Sequence, residues 1–159
     1  MQFIGIISDE TYENCIRRDI LDKLEVRESS VLFIKEKSIE NIKNIKFETI
    51  VIDRKFESEE TLKKIVENAT YLIVNSDIED NLELLENVKA TVITYGFNSK
   101  ATITASSVTE EEILICLQRS IEIKNGKIVE PQEISIKLEK NACCTRAITA
   151  VLLVYNKII

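Results

Sequence analysis

The chain has 159 residues, of which 45% are hydrophobic and 30% are charged, and its formal net charge is −6 at pH 7. This composition supplies enough apolar surface for a folded core and excludes a chain that is disordered throughout. Basic residues are scattered rather than clustered, so the phosphate backbone of a nucleic acid would be repelled, and nucleic-acid binding is not expected.

Apolar runs alternate with amphipathic segments over the first 96 residues. The runs predict strands over 2–7, 31–34, 48–53, 71–76 and 90–96, and the amphipathic segments predict helices over 11–24, 38–45, 58–69 and 81–88. Ser38 and Ser58 stand where N-caps of two of these helices would lie. Strands that alternate with helices through short connections indicate a mostly parallel sheet covered on both faces. The sequence therefore predicts a Rossmann-like, three-layer α/β core.

The pattern changes after Gly96. Residues 101–108 alternate polar and apolar side chains, 111–123 form an apolar run, and 127–138 read as a return strand after the hairpin signal Asn125-Gly126, for which a type I′ turn is expected. An apolar segment over 142–158 predicts a closing helix. We therefore expect residues 97–159 to form a small antiparallel β extension and a C-terminal packing helix, packed as one unit with a core over 1–96.

Polar residues cluster where the predicted parallel strands end. In such sheets ligands bind beyond the carboxyl ends of the strands, and the candidate ligand-binding residues there are Asp9, Asp53, Asn75, Asp77, Gly96, Asn98 and Lys100. Gly96 also has a purely structural interpretation, because a turn into a second sheet often requires the positive φ that glycine adopts without steric cost.

The cysteines and the missing histidines limit the chemistry that the chain can support. The four cysteines are Cys15, Cys116, Cys143 and Cys144, with no C-x-x-C spacing, and histidine is absent. Buried, reduced thiols are expected rather than a zinc site, and no metal or cofactor is predicted. Residues 1–10 lack the pattern of a signal peptide, and the longest apolar stretch, near the end, is too short to span a bilayer. The sequence thus predicts a cytoplasmic protein without a membrane span.

Residues 70–159 resemble the later part of the central, ATP-binding domain of Mur ligases, which add amino acids to peptidoglycan precursors. Asn75 and Asp77 match a strand ending in Asn-x-Asp, and Thr94, Tyr95 and Gly96 match a strand ending in T-[YF]-G. The run Ala147–Ala150 falls where the family has an Ala-rich helix. The resemblance implies the family's α/β fold for this part of the chain.

The chain departs from this family where the chemistry is done. It has no G-x-x-x-x-G-K-[ST] phosphate loop, since Gly5 is followed by Ile-Ile-Ser-Asp, and it lacks the histidines that the family uses near its metal ions. Arg146 stands where the family often has residues that face adenine. ATP-driven ligation is therefore not expected. The leading interpretation is a non-catalytic interaction or regulatory module linked to cell-wall metabolism, with a protein partner or a homo-oligomer.

Two alternatives remain open from the sequence. One is a sensor of a small or nucleotide-like ligand at the strand ends around Asp9, Asn75 and Gly96. The other is a receiver-like phosphoacceptor at Asp53, in which Asp9-Glu10, Ser76 and Lys100 follow the order of acidic, hydroxyl and lysine residues that phosphoryl transfer to an aspartate uses. The identity of the ligand, the partner and the pathway, and the oligomeric state, do not follow from these patterns.

Overall fold

A computed structural model describes residues 2–138 and 145–158 of the chain. Eight strands form one sheet in the order β10-β7-β6-β5-β4-β3-β1-β2, and two short strands, β8 and β9, form a second sheet. The bounds of the strands are β1 Phe3–Ile7, β2 Val31–Phe33, β3 Phe47–Ile52, β4 Tyr71–Asn75, β5 Thr91–Tyr95, β6 Ile103–Val108, β7 Glu112–Leu117, β8 Ile121–Glu122, β9 Ile128–Val129 and β10 Gln132–Lys137.

Helices cover both faces of the large sheet. Their bounds are α1 Glu10–Leu24, α2 Ile39–Ile42, α3 Glu59–Val66, α4 Asp80–Glu83 and α5 Thr145–Val154. Buried residues of α1 and α5 share one apolar cluster with one face of the sheet. Buried residues of α2 and α3, together with Leu84 directly after α4, share a second cluster with the other face. Since strands buried on both sides need apolar residues at every position, the continuous Ile and Val runs of β1 and β3 follow directly. The predicted three-layer α/β fold is confirmed.

Strand β1 lies between β2 and β3 and pairs with both in parallel. The chain therefore leaves β1 towards one edge of the sheet, through α1 to β2, and returns past β1 to β3. This reversal creates a crevice beyond the carboxyl ends of β1 and β3, the place where open α/β sheets bind ligands.

The antiparallel part continues the same sheet. Strand β6 joins β5 through one parallel pair, Tyr95 with Ile103, and β7 and β10 then add in antiparallel fashion. The apolar run predicted as one strand over 111–123 is divided into β7 and β8, and the return strand over 127–138 is divided into β9 and β10, because the chain leaves the large sheet to form the separate β8–β9 hairpin.

The hairpin turn at Asn125-Gly126 is present, but it is not of type I′. Only Gly126 has a positive φ, of 77°, and its N–H donates to the Ile123 carbonyl at 2.9 Å. A type I′ turn needs positive φ at two consecutive residues, whereas a type I turn followed by a left-handed glycine needs it at one. The Asn-Gly pair therefore predicted the position of the turn correctly and its type wrongly.

Helices α2, α3 and α4 are shorter than the patterns predict, and the capping serines act differently. Helices α2 and α4 have four residues each. Ser38 and Ser58 occupy the predicted N-cap positions without a side-chain capping bond. The Ser58 hydroxyl instead contacts Thr61 Oγ1 at 2.8 Å. The N-cap positions were therefore predicted correctly, although the serine oxygens do not accept the expected helical N–H groups.

The cysteines differ from the expectation in one respect. Cys116 is a free thiol, as predicted, although it is only partly buried, whereas Cys15 is disulfide-bonded. Sequence spacing could not reveal this, because a disulfide depends on the approach of two Cα atoms in the folded chain. Cys143, Cys144 and the predicted helical start at 142–144 lie outside the described residues. Within 2–138 and 145–158, no helix has the length and apolar character needed to cross a bilayer.

Candidate functional site

The connection from β1 to α1 consists of Ser8 and Asp9 alone. Asp9 is the N-cap residue, and acidic side chains at Glu10 and Glu13 occupy the first turn of the helix. Glu13 is buried and forms an ion pair with Lys35, with 3.0 Å between Oε1 and Nζ. A helix N-terminus carries a partial positive charge, and these carboxylates of the chain itself compensate that charge.

Gly5, the glycine nearest this connection, has a packing role. It lies inside β1, where an added Cβ would be 2.5 Å from Ile34 Cδ1 and 3.0 Å from Phe47 Cδ1. The missing side chain makes room for two core residues rather than for a phosphate. The connection is also shorter than a P-loop motif, so a loop of that kind has no space between β1 and α1.

A bidentate ion pair joins β3 to the chain after β2. Arg54 Nη1 and Nη2 donate to Glu36 Oε1 and Oε2 at 3.1 and 2.9 Å. The hydrogen bond from Arg54 lowers the pKa of Glu36 from 4.5 to about 2, and the same bond raises the pKa of Arg54. Arg54 Nε also approaches the Ser8 carbonyl at 3.4 Å. The pair therefore holds the β2–α2 segment against the ends of β1 and β3.

These groups line an open cleft of about 450 Å³ at the crevice beside β1. Its walls carry four acidic and three basic side chains. The lining residues are Ser8, Asp9, Glu10, Glu13, Lys35, Glu36, Lys37 and Arg54. Because the acidic groups exceed the basic ones and two of the basic groups are already paired, the cleft offers no free cationic cradle for a triphosphate.

Asp53 connects the ends of four strands. Its Oδ2 accepts from Ser8 Oγ at 3.2 Å, and its Oδ1 accepts from Asn75 Nδ2 at 3.3 Å. The Tyr95 hydroxyl also donates to Oδ1. Tyr95 was matched to a family motif but was not predicted as a site residue. The contact was hidden in the sequence, because Tyr95 in β5 reaches the end of β3 across β4, which lies between these two strands.

Asp77, Gly96 and Asn98 form a second group, which Asn75 joins to the first. Asn75 Oδ1 accepts from the Asp77 N–H at 3.0 Å. The Asp77 carboxylate accepts from the N–H of Phe97 at 2.8 Å and from Asn98 Nδ2 at 2.8 Å. Burial acts to raise the pKa of Asp77, but the bonds from the Asn98 side chain and the two N–H groups outweigh it and lower the pKa.

The expected positive φ at Gly96 is not observed. Among the described residues, the glycine with a left-handed φ is Gly126. Glycine is needed at position 96 for a different reason. An added Cβ would lie 2.5 Å from Asp77 Oδ1 and 3.0 Å from Asn98 Nδ2. The positive-φ interpretation of Gly96 is therefore wrong, and the close approach of the Asp77 carboxylate explains the glycine instead.

Asp9 and Lys100 stand at the margins of these groups. Asp9 lines the cleft and raises the pKa of Arg54 through its charge, as a lesser contribution after Glu36. Lys100 takes part through its backbone, whose N–H donates to Asn98 Oδ1 at 3.1 Å.

No three acidic or cysteine side chains in the described residues converge in a way that could hold a metal ion. With both Asp53 oxygens hydrogen-bonded, this geometry favours a structural role for Asp53 over the receiver-like hypothesis.

Phe97 and Arg146 form a contact that the sequence did not predict. The Phe97 side chain is 72% exposed, and the Arg146 guanidinium lies 3.6 Å from its ring centroid. Arg146 Nη1 is buried without a hydrogen-bond partner in the described part of the chain. A cation on an aromatic ring is favourable when partly desolvated. The signal available in the sequence was a lone arginine at the start of an otherwise apolar helix.

Comparison with solved structures identifies a similar fold. The chain superposes on UDP-N-acetylmuramate-alanine ligase MurC from Thermotoga maritima with a TM-score of 0.57 and 15% sequence identity. The chain has a Mur ligase-like fold. The match covers 96% of this chain, which is wider than the region 70–159 that carries the motifs, and 41% of the ligase. The chain therefore spans about two-fifths of the length of that enzyme. No family model matches the sequence, and no curated protein does.

Proposed function

We propose that this protein is a non-catalytic, Mur ligase-like module that binds a partner or a small ligand at the carboxyl edge of its sheet. The observation that carries the proposal is the acidic, two-residue connection between β1 and α1. Backbone N–H groups of a glycine-rich loop and a lysine are what hold ATP phosphates in a P-loop. Here Asp9 ends the connection and Glu10 begins α1, and their charges oppose those of a phosphate.

The regulatory role and its link to cell-wall metabolism are supported by the fold alone. The similar ligase is named for UDP-N-acetylmuramate and alanine. A module with this fold and no phosphate loop would bind molecules related to UDP-N-acetylmuramate or alanine, or an enzyme that acts on them. It would not use ATP to activate these molecules. The sensor alternative is favoured by a separate observation, the cleft beside β1, which lies where α/β sheets bind ligands.

The proposal is tested by measuring ATP turnover, and the thermal stability of the protein with MgATP, UDP-N-acetylmuramate or L-alanine. We expect no turnover and no stabilisation by MgATP. For the sensor alternative, a ligand at about a hundred times its dissociation constant would stabilise the fold by about 2.7 kcal/mol, which is several degrees in melting temperature. ATP hydrolysis by the pure protein would contradict the non-catalytic proposal.

If a ligand or partner binds, a charge reversal in the cleft tests whether the cleft is the binding surface. Glu10 and Asp22 are exposed residues of the same helix, but only Glu10 lines the cleft. Glu10→Lys should change the affinity for a ligand or a captured partner by about tenfold or more, whereas Asp22→Lys should leave it within about twofold. Equal effects of the two substitutions would place the binding surface elsewhere.

A further inference from the structure

Strand β10 forms one edge of the eight-stranded sheet, and no strand in the described residues pairs with its outer side. The opposite edge is β2, which has three residues, whereas β10 has six. Short edge strands resist pairing with other chains, and long ones present a row of free N–H and carbonyl groups. The β10 edge is thus the one able to accept another strand.

The hydrogen bonding of β10 shows which residues face outwards. The N–H of Leu138 donates to the Glu111 carbonyl at 2.8 Å, directly after the last register pair, Lys137 with Glu112. In an antiparallel pair the residues that bond to the neighbour alternate with those that do not. Since Leu138 bonds towards β7, the backbone groups of Glu133, Ser135 and Lys137 point away from the sheet.

The side chains of these three residues are exposed and self-complementary. If two β10 strands pair in antiparallel fashion with Ser135 opposite its own copy, Glu133 lies opposite Lys137 of the second chain. This arrangement occurs twice by symmetry. On the other face Ile134, which is partly buried, lies opposite Ile136. Opposite charges and paired β-branched residues at directly facing positions both stabilise a sheet.

We propose that β10 is a self-association surface, through which two copies of this chain form a symmetric dimer with one continuous sheet. The pairing would add about six backbone hydrogen bonds and two Glu–Lys pairs. Pro131 precedes the strand and has no N–H to donate. The outward-pointing N–H groups of this edge therefore begin at Glu133. The interface is small, so we expect a dissociation constant in the micromolar range. This proposal does not depend on the proposed function.

Sedimentation equilibrium of the full chain, from low micromolar to near-millimolar concentration, tests the dimer. Glu133→Lys and Lys137→Glu should each weaken dimerisation by about tenfold, because each places like charges opposite each other twice. The double substitution Glu133→Lys with Lys137→Glu restores opposite charges in this register, and should return the dissociation constant to within about threefold of the wild-type value. Far-ultraviolet circular dichroism verifies that the variants are folded.

Glu86→Lys and Lys89→Glu provide matched controls, because both residues are exposed and lie between α4 and β5. Neither should alter dimerisation. Amide exchange should slow at Glu133, Ser135 and Lys137 as the protein concentration rises. A wild-type chain that stays monomeric throughout would overturn the proposal. A dimer that the single charge reversals leave unchanged, or that the double substitution fails to restore, would overturn it equally.

Discussion

At Gly96, an added Cβ would lie 2.5 Å from Asp77 Oδ1 and 2.8 Å from Asp77 Cγ. The carboxylate cannot move away freely, because the N–H groups of Phe97 and Asn98 and the Asn98 side chain hold it. At the scale of single residues, the site is therefore a set of polar groups that fix one another, with glycine required by the space that a neighbour occupies.

Gly96→Ala should destabilise the fold by about 1–3 kcal/mol, because the methyl group displaces a hydrogen-bonded carboxylate. Denaturant unfolding measures this loss. The same substitution in an Asp77→Ala background should cost less than about 1 kcal/mol, since the obstacle has been removed. If the cost of Gly96→Ala is the same in both backgrounds, close approach of Asp77 is not the reason for glycine.

The segment from Glu36 to Ser38 forms a helical turn that the Arg54–Glu36 pair ties to the end of β3. At the scale of elements, this pair is what shapes the cleft, because it connects two consecutive crossovers of the chain. The Glu36 side chain is 30% exposed, so solvent screens part of its interaction with Arg54.

Acid should weaken this connection in a defined pH range. The pKa of Glu36 falls from 4.5 to about 2 on folding, so its contribution is present above pH 4.5 and is lost as the pH falls towards 2. After allowance for screening, we expect about 1–2 kcal/mol. Glu36→Gln should remove this part of the acid dependence of the unfolding free energy.

Glu40→Gln is the matched control for the acid experiment. Glu40 pairs with Lys43 one helical turn away, and this bond lowers its pKa, but the carboxylate is fully exposed. Its removal should leave the acid limb of the stability curve nearly unchanged. Equal effects of the two substitutions would show that net charge, rather than the Arg54 pair, sets the acid dependence.

At the scale of the whole molecule, helix α5 connects the parallel and antiparallel parts of the sheet. Its buried residues share one apolar cluster with α1, with β1, β3, β4 and β5, and with β6 and β7. Leu153 is fully buried in this cluster. The sequence predicts that a core over 1–96 and an extension over 97–159 pack as one unit. If they do, this shared cluster should make the two parts unfold together.

Leu153→Ala should destabilise the protein by about 2–5 kcal/mol. If the molecule unfolds as one unit, exchange of the slowest amides in β1 and in β7 should accelerate by the same factor. Leu82→Ala serves as the control, because Leu82 is 43% exposed and its truncation should have little effect. Acceleration confined to β7 would contradict packing as one unit.

The sequence by itself determined the alternation of strands and helices, the change of pattern after Gly96, and the polar residues at the strand ends. These features are local, since the period of apolar residues sets which element a segment forms. It also predicted that Asp53, Asn75 and Asp77 lie at one edge of the sheet, because parallel strands end at the same edge.

Only the tertiary structure decided the order of the strands, the contact of Tyr95 with Asp53 and of Arg146 with Phe97, and the reason for Gly96. It also divided the long apolar run between two sheets and left β10 at an edge. Each of these depends on residues that are distant in sequence and meet only when the crossovers are fixed, so no local pattern carries them.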